Sequence, residues 1–160
     1  MTTTSGTDYE RTLRLQAPAA TVFDALTAAP HLSAWWTECA GSGVTGGELR
    51  FAMSAPEPLV IHVDDASRPS SVRWTVVECT FEPDWVGTHP TFTITPVDGD
   101  ASEVHFRHEG LTRDLECIDM CTAGWNHYLD SLRDFAETGT GSPRGSEADI
   151  ARRAADSSSR

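Results

Sequence analysis

The sequence predicts an α+β domain: an antiparallel sheet of about seven strands with one long C-terminal helix packed against it. Three observations carry this. Residues 121–135 repeat apolar side chains at helical spacing, through Cys121, Trp125, Tyr128, Leu132 and Phe135. Between Tyr9 and His108 the chain breaks mainly into short alternating runs separated by Gly, Pro and Asp. The connections between those runs are too short for parallel crossovers, so the strands must be antiparallel.

The elements follow in order. Residues 1–7 read as a disordered lead. From Tyr9, apolar and polar positions alternate, and Leu13 and Leu15 point inward. Pro18 suits the first position of a helix whose apolar stripe is Val22, Phe23 and Leu26, with Pro30 as its stop. A short turn or second helix then carries Leu32, Trp35 and Trp36. Thr37–Ser42 reads as a strand, and Gly46-Gly47 as a turn. Leu49, Phe51 and Met53 alternate after it, as do Leu59, Ile61 and Val63. Val72, Trp74, Val76 and Glu78 share one face of the next strand, and Pro90, Phe92 and Ile94 one face of another. Asp98-Gly99-Asp100 signals a hairpin, and Val104, Phe106 and His108 share the face that follows. The long helix is expected to begin near Asp114, capped by Thr112 or Asp114, and to stop at Gly139. Gly124 inside it costs about 1 kcal/mol relative to alanine, which suggests a reason of space. Residues 144–160 read as a flexible tail or a loose surface helix.

Composition bounds the function. The chain has 160 residues, 39 % hydrophobic and 22 % charged, within the ordinary range for one globular domain. A net charge of −12 would repel nucleic-acid backbones and anionic lipid surfaces, so neither is an expected partner. No stretch reaches the roughly twenty apolar residues of a membrane span. The polar N-terminus lacks a signal-peptide core, so a cytoplasmic location is expected. Four cysteines suit reduced thiols better than a disulfide framework.

Several local patterns together resemble a known superfamily. They are Ala17-Pro18-Ala19-Ala20-Thr21-Val22-Phe23-Asp24-Ala25-Leu26 with Trp35-Trp36 downstream, Gly46-Gly47 before a strand, and Asp84-Trp85-Val86-Gly87-Thr88. Phe106-Arg107-His108-Glu109-Gly110-Leu111 and Gly124-Trp125, leading to Glu137-Thr138-Gly139-Thr140-Gly141-Ser142-Pro143, complete the set. Their order resembles the helix-grip fold of the START-like (SRPBCC) superfamily over residues 8–143. The branch it resembles is named after the C-terminal domain of the activator of the heat-shock-protein ATPase. The resemblance implies a curved antiparallel sheet wrapped around the C-terminal helix, with two short helices after the first strand. It implies, for different members, binding of small hydrophobic molecules, cyclase or hydrolase activity, or stimulation of a chaperone ATPase. It carries over no catalytic motif, because one scaffold hosts many sites.

Strand parity supplies the candidate site. Phe51, Met53, Trp74, Val76, Phe92, Phe106 and His108 fall on the inward parity. Trp35, Trp36, Met120, Trp125 and Tyr128 are expected to close the space from the helical side. These residues line either a ligand cavity or a solid core, and the expected guest is a small apolar or aromatic molecule. His108, with Glu78 or Tyr128, is the candidate acid/base set if the protein is an enzyme; the alternative for His108 is a buried imidazole satisfied by its neighbours. No metal or cofactor is expected. Cys117 and Cys121 share a helical face, but paired zinc spacings are lacking, and His105 and His108 face opposite sides of a strand. There is no Gly-x-Ser-x-Gly elbow, and the glycine pairs open no phosphate-binding helix. Asp130, Asp134 and Glu137 read as a solvated helix face. A homodimer or a chaperone partner is compatible with the sequence.

Overall fold

A computed structural model describes residues 8–52, 57–80, 82–112 and 118–158. Seven strands form one antiparallel sheet in the order β1-β7-β6-β5-β4-β3-β2. They are β1 (Asp8–Leu15), β2 (Cys39–Gly41), β3 (Glu48–Phe51), β4 (Leu59–Ser67), β5 (Ser71–Glu78), β6 (His89–Pro96) and β7 (Ser102–Thr112). Helices α1 (Ala19–Thr27) and α2 (Ala29–Trp35) follow β1, and the long α3 spans Ile118–Thr138. This is the helix-grip fold: a curved sheet closed on one face by α3, with the two short helices after the first strand. Among the described residues, no helix is long and apolar enough to cross a membrane.

The first and last strands are neighbours. Leu13 pairs with Val104 and Leu15 with Ser102, which brings the start of the chain beside the strand that leads into α3. Alternation then sets one face inward. On β7, Ser102, Val104, Phe106 and His108 are all buried, and the residues between them are not.

Helix α3 buries the stripe its sequence predicts. Cys121, Trp125, Tyr128 and Leu132 are buried, joined by Leu129 and Ser131. Solvated positions of its other face also bond to β1 and the residue after it. Tyr9 donates to the Asn126 side chain, Arg11 pairs with Asp130 at 2.6 Å, and the Gln16 N–H donates to Glu137 at 2.8 Å. Asn126, Asp130 and Glu137 are spaced four and seven residues apart, so they meet β1 along one line of the helix. The Asp130 side chain is 47 % exposed, and Asp134 and Glu137 are exposed, so these three residues lie on the solvated face expected of them while two of them also reach β1 or its end.

One departure is local. Pro30 does not stop α1; it lies in the first turn of α2, where its missing N–H costs nothing. Residues 147–158 form a further helix, α4 (Glu147–Ser158), in the segment expected to be a flexible tail or a loose surface helix. Its anchor is Asp149, fully buried, which accepts from the Tyr128 hydroxyl at 2.8 Å and from the Gly145 N–H at 2.9 Å. A polar segment with one large apolar residue, Ile150, gave no hint of a buried carboxylate.

Gly124 has no neighbouring atom within 4 Å of where a Cβ would lie. Close packing does not require glycine there. Gly124→Ala is expected to raise folding stability by about 0.5–1 kcal/mol through helix propensity alone, as urea denaturation would measure.

Candidate functional site

Six aromatic rings form a closed circuit between the sheet and α3. The sheet contributes Phe51 from β3, Trp74 from β5, Phe92 from β6 and Phe106 from β7; the helical side contributes Trp36, just past α2, and Trp125 on α3. Going round, ring centroids are 4.4 Å apart for Trp36 and Phe51, 6.1 Å for Phe51 and Trp74, and 5.1 Å for Trp74 and Phe92. The circuit continues at 4.8 Å to Phe106, 4.4 Å to Trp125 and 5.2 Å back to Trp36. These are the separations of tilted and edge-on aromatic contacts. All six residues are at most 2 % exposed.

The helical side is held in place by hydrogen bonds. Ser131 on α3 donates to the Trp35 carbonyl and accepts from the Ser142 N–H. The Arg144 N–H donates to the Trp36 carbonyl at 2.6 Å. The chain passes close enough here that a Cβ on Gly141 would sit 2.8 Å from the Ala34 carbonyl oxygen, so only glycine fits. Trp35 itself anchors α2 to α1, its indole N–H donating to the Ala25 carbonyl at 2.7 Å, while its ring stacks on Trp36.

His108 sits at one end of the circuit, fully buried. The Trp125 indole N–H donates to its Nδ1 at 3.0 Å. An indole nitrogen only donates, so Nδ1 carries no proton and Nε2 does. Nε2–H then donates to Thr88 Oγ1 at 2.7 Å, and the Thr88 hydroxyl donates to the Trp85 carbonyl at 2.6 Å. Burial pushes the imidazole pKa down to about 3, with Asp8 opposing that and His89 adding to it. His108 is thus a neutral imidazole with both nitrogens committed. General acid/base work needs a pKa near the operating pH and a nitrogen facing substrate; His108 has neither.

The other two acid/base candidates do not join it. Glu78 is exposed. Val60 pairs with Glu78 but Ile61 with Val76, so Val77 is the extra residue of a β-bulge. Val76 stays inside, Val77 and Glu78 both face out, and Cys79 returns to the interior. Tyr128 turns its hydroxyl to Asp149 on α4. Of the remaining predicted residues, Val76 is buried in the core, and Met53 lies outside the described residues. Met120 is 50 % exposed: it precedes Cys121 by one position, about 100° round the helix from the buried stripe. Cys117 also lies outside the described residues, and Cys121 accepts from the Trp85 indole N–H at 3.2 Å.

Trp85 and Thr88 are site neighbours that sequence reasoning missed. Trp85 ends the 3-10 turn Pro83–Trp85, stacks parallel on Trp125 at 6.0 Å and meets His108 edge-on at 4.7 Å. A 3-10 turn has no apolar periodicity to betray an inward tryptophan.

The comparisons with known proteins agree with this fold. The model of the family described as "Activator of Hsp90 ATPase homolog 1-like protein" matches residues 16–137. The chain belongs to that family. Among solved structures, the activator-like fold is shared with the Aha1 dimer from Colwellia psychrerythraea, at 24 % identity and a TM-score of 0.73, covering 84 % of this chain and 98 % of that one. An HSP90 activator from Plasmodium falciparum is 16 % identical with a TM-score of 0.64, over 79 % of this chain and 94 % of that one. A putative protein of the dynemicin biosynthetic locus is 20 % identical with a TM-score of 0.65, over 82 % of this chain and 48 % of that one. At these identities the likeness is one of fold. No curated protein matches the sequence.

Proposed function

We propose that this activator-family chain binds a small, neutral, aromatic or apolar molecule between its sheet and α3. The observation that supports the reading is the aromatic circuit: six large rings from six separate segments pack against one another between sheet and helix. No basic side chain is among the buried residues described, and His108 is neutral, so the space suits an uncharged guest. Two contacts at 4.4 Å, Trp36–Phe51 and Phe106–Trp125, join the helical rings to the sheet rings. A planar guest enters by parting these contacts and replacing ring–ring stacking with ring–guest stacking. The test is thermal melting with neutral probes such as 9-fluorenone, fluorene and 2-naphthol. A probe at a hundred times its Kd should add about 2.7 kcal/mol, hence several degrees of melting temperature. If no probe shifts the transition or quenches tryptophan fluorescence, the reading falls.

The family description favours a second reading, in which the chain stimulates an Hsp90 ATPase. The Colwellia relative is a dimer, so self-association belongs to the same reading. A purified ATPase assay with an Hsp90 partner should show a rise in turnover, and light scattering should report the dimer. Unchanged turnover at saturating protein removes this reading. The acid/base enzyme has no support from the positions of His108, Glu78 and Tyr128.

A further inference from the structure

We infer that Trp74 is the polar contact for the guest, its indole N–H donating a hydrogen bond to an acceptor oxygen of a neutral planar ligand of the aryl ketone or quinone class. This rests on the ligand-binding reading above and names the chemistry it recognises.

Trp74 is fully buried in β5, between β4 and β6. Its Nε1 has no hydrogen-bond partner among the described residues. Three of the four other buried indoles have a hydrogen-bond acceptor among the described residues. Trp35 donates to Ala25, Trp85 to Cys121 and Trp125 to His108. A buried donor left unpaired is costly, and native folds rarely keep one.

The surroundings define the missing acceptor. Among the described residues, the rings packed on Trp74 are Trp36, Phe51 and Phe92. Phenyl rings carry no lone pair, and an indole nitrogen only donates. A buried water needs two to four polar partners, and these rings offer it one. The acceptor that fits brings its own apolar body. A carboxylate would find no cation among the buried residues described, and a protonated amine has no lone pair to accept the N–H. A carbonyl on a flat apolar frame satisfies both demands: oxygen to Nε1–H, faces to the rings.

The experiment compares 9-fluorenone with fluorene, which share one frame and differ by the carbonyl. Their affinity ratio is measured on the full chain and on Trp74→Phe, so that intrinsic solubility differences cancel. The preference for 9-fluorenone should fall about fivefold in Trp74→Phe, the size of one neutral hydrogen bond. On the wild-type chain, the carbonyl stretch of bound 9-fluorenone should lie at lower wavenumber than in hexane, a reading that needs no variant to fold. An unchanged ratio, or a carbonyl band at its hexane position, overturns the inference while leaving aromatic binding intact. Binding of neither probe removes the ligand reading itself, and this inference with it.

Discussion

Trp125→Ala should lose about 5 kcal/mol of folding stability in urea denaturation. Removing a buried tryptophan costs roughly 3–5 kcal/mol through lost transfer energy and the cavity left behind. Trp125 touches Trp36, Phe106 and Trp85 at once, so the site cannot collapse around the gap without moving three elements. The substitution also strands His108 Nδ1 as a buried acceptor, which adds about 1–3 kcal/mol. Domains of this size are stable by about 5–15 kcal/mol, so the variant should be near or past its folding limit at room temperature. Trp125→Phe separates the two causes. It keeps a ring in the circuit and loses the N–H, and it should cost less than half as much. A loss below about 2 kcal/mol for Trp125→Ala would mean the rings do not hold the helix to the sheet.

Acid should destabilise the protein through His108. Its folded pKa, near 3, lies below the ordinary histidine value of about 6.5 in the unfolded chain. Between those values the unfolded chain binds a proton that the folded protein refuses. Stability therefore rises with pH in that window and is lost as pH falls through it, at up to about 1.4 kcal/mol per pH unit. The physical cause is desolvation first, and the hydrogen bonds agree: a proton on Nδ1 would confront the Trp125 N–H, donor to donor. Carboxylates also titrate at the lower end, so the comparison is with His108→Gln. Between pH 6 and 5 the wild-type chain should lose stability more steeply than the variant by about 1 kcal/mol per unit. Parallel pH profiles would show that His108 is not buried as a neutral group.

Alternation along the strands was enough to place Phe51, Trp74, Phe92, Phe106 and His108 on one face, because period-two side chains leave no choice once one face is buried. Helical spacing did the same for Trp125 and Tyr128. What the chain did not disclose lies where those periods break. The bulge at Val77 adds one residue to β5 and turns Glu78 out; no sequence signal marks it, since Val76-Val77 reads as uninterrupted strand. Trp85 and Thr88 sit in and after a turn without periodicity, yet they complete the hydrogen bonds of His108. Asp149 lies in a polar segment whose burial depends on the distant Tyr128 hydroxyl. Long-range partners of this kind follow from tertiary packing, which local pattern does not encode.

A neutral aromatic guest lodged among these rings would be reported by the indole N–H resonances. The chain has five tryptophans, each giving one signal in a nitrogen–proton correlation spectrum. On titration with 9-fluorenone, the Trp36, Trp74 and Trp125 signals should move saturably, Trp74 furthest and downfield as its N–H gains an acceptor. Trp35, bonded to the Ala25 carbonyl, should stay close to its starting position. Indole signals that do not move, or that drift together without saturating up to the solubility of the probe, would contradict the account.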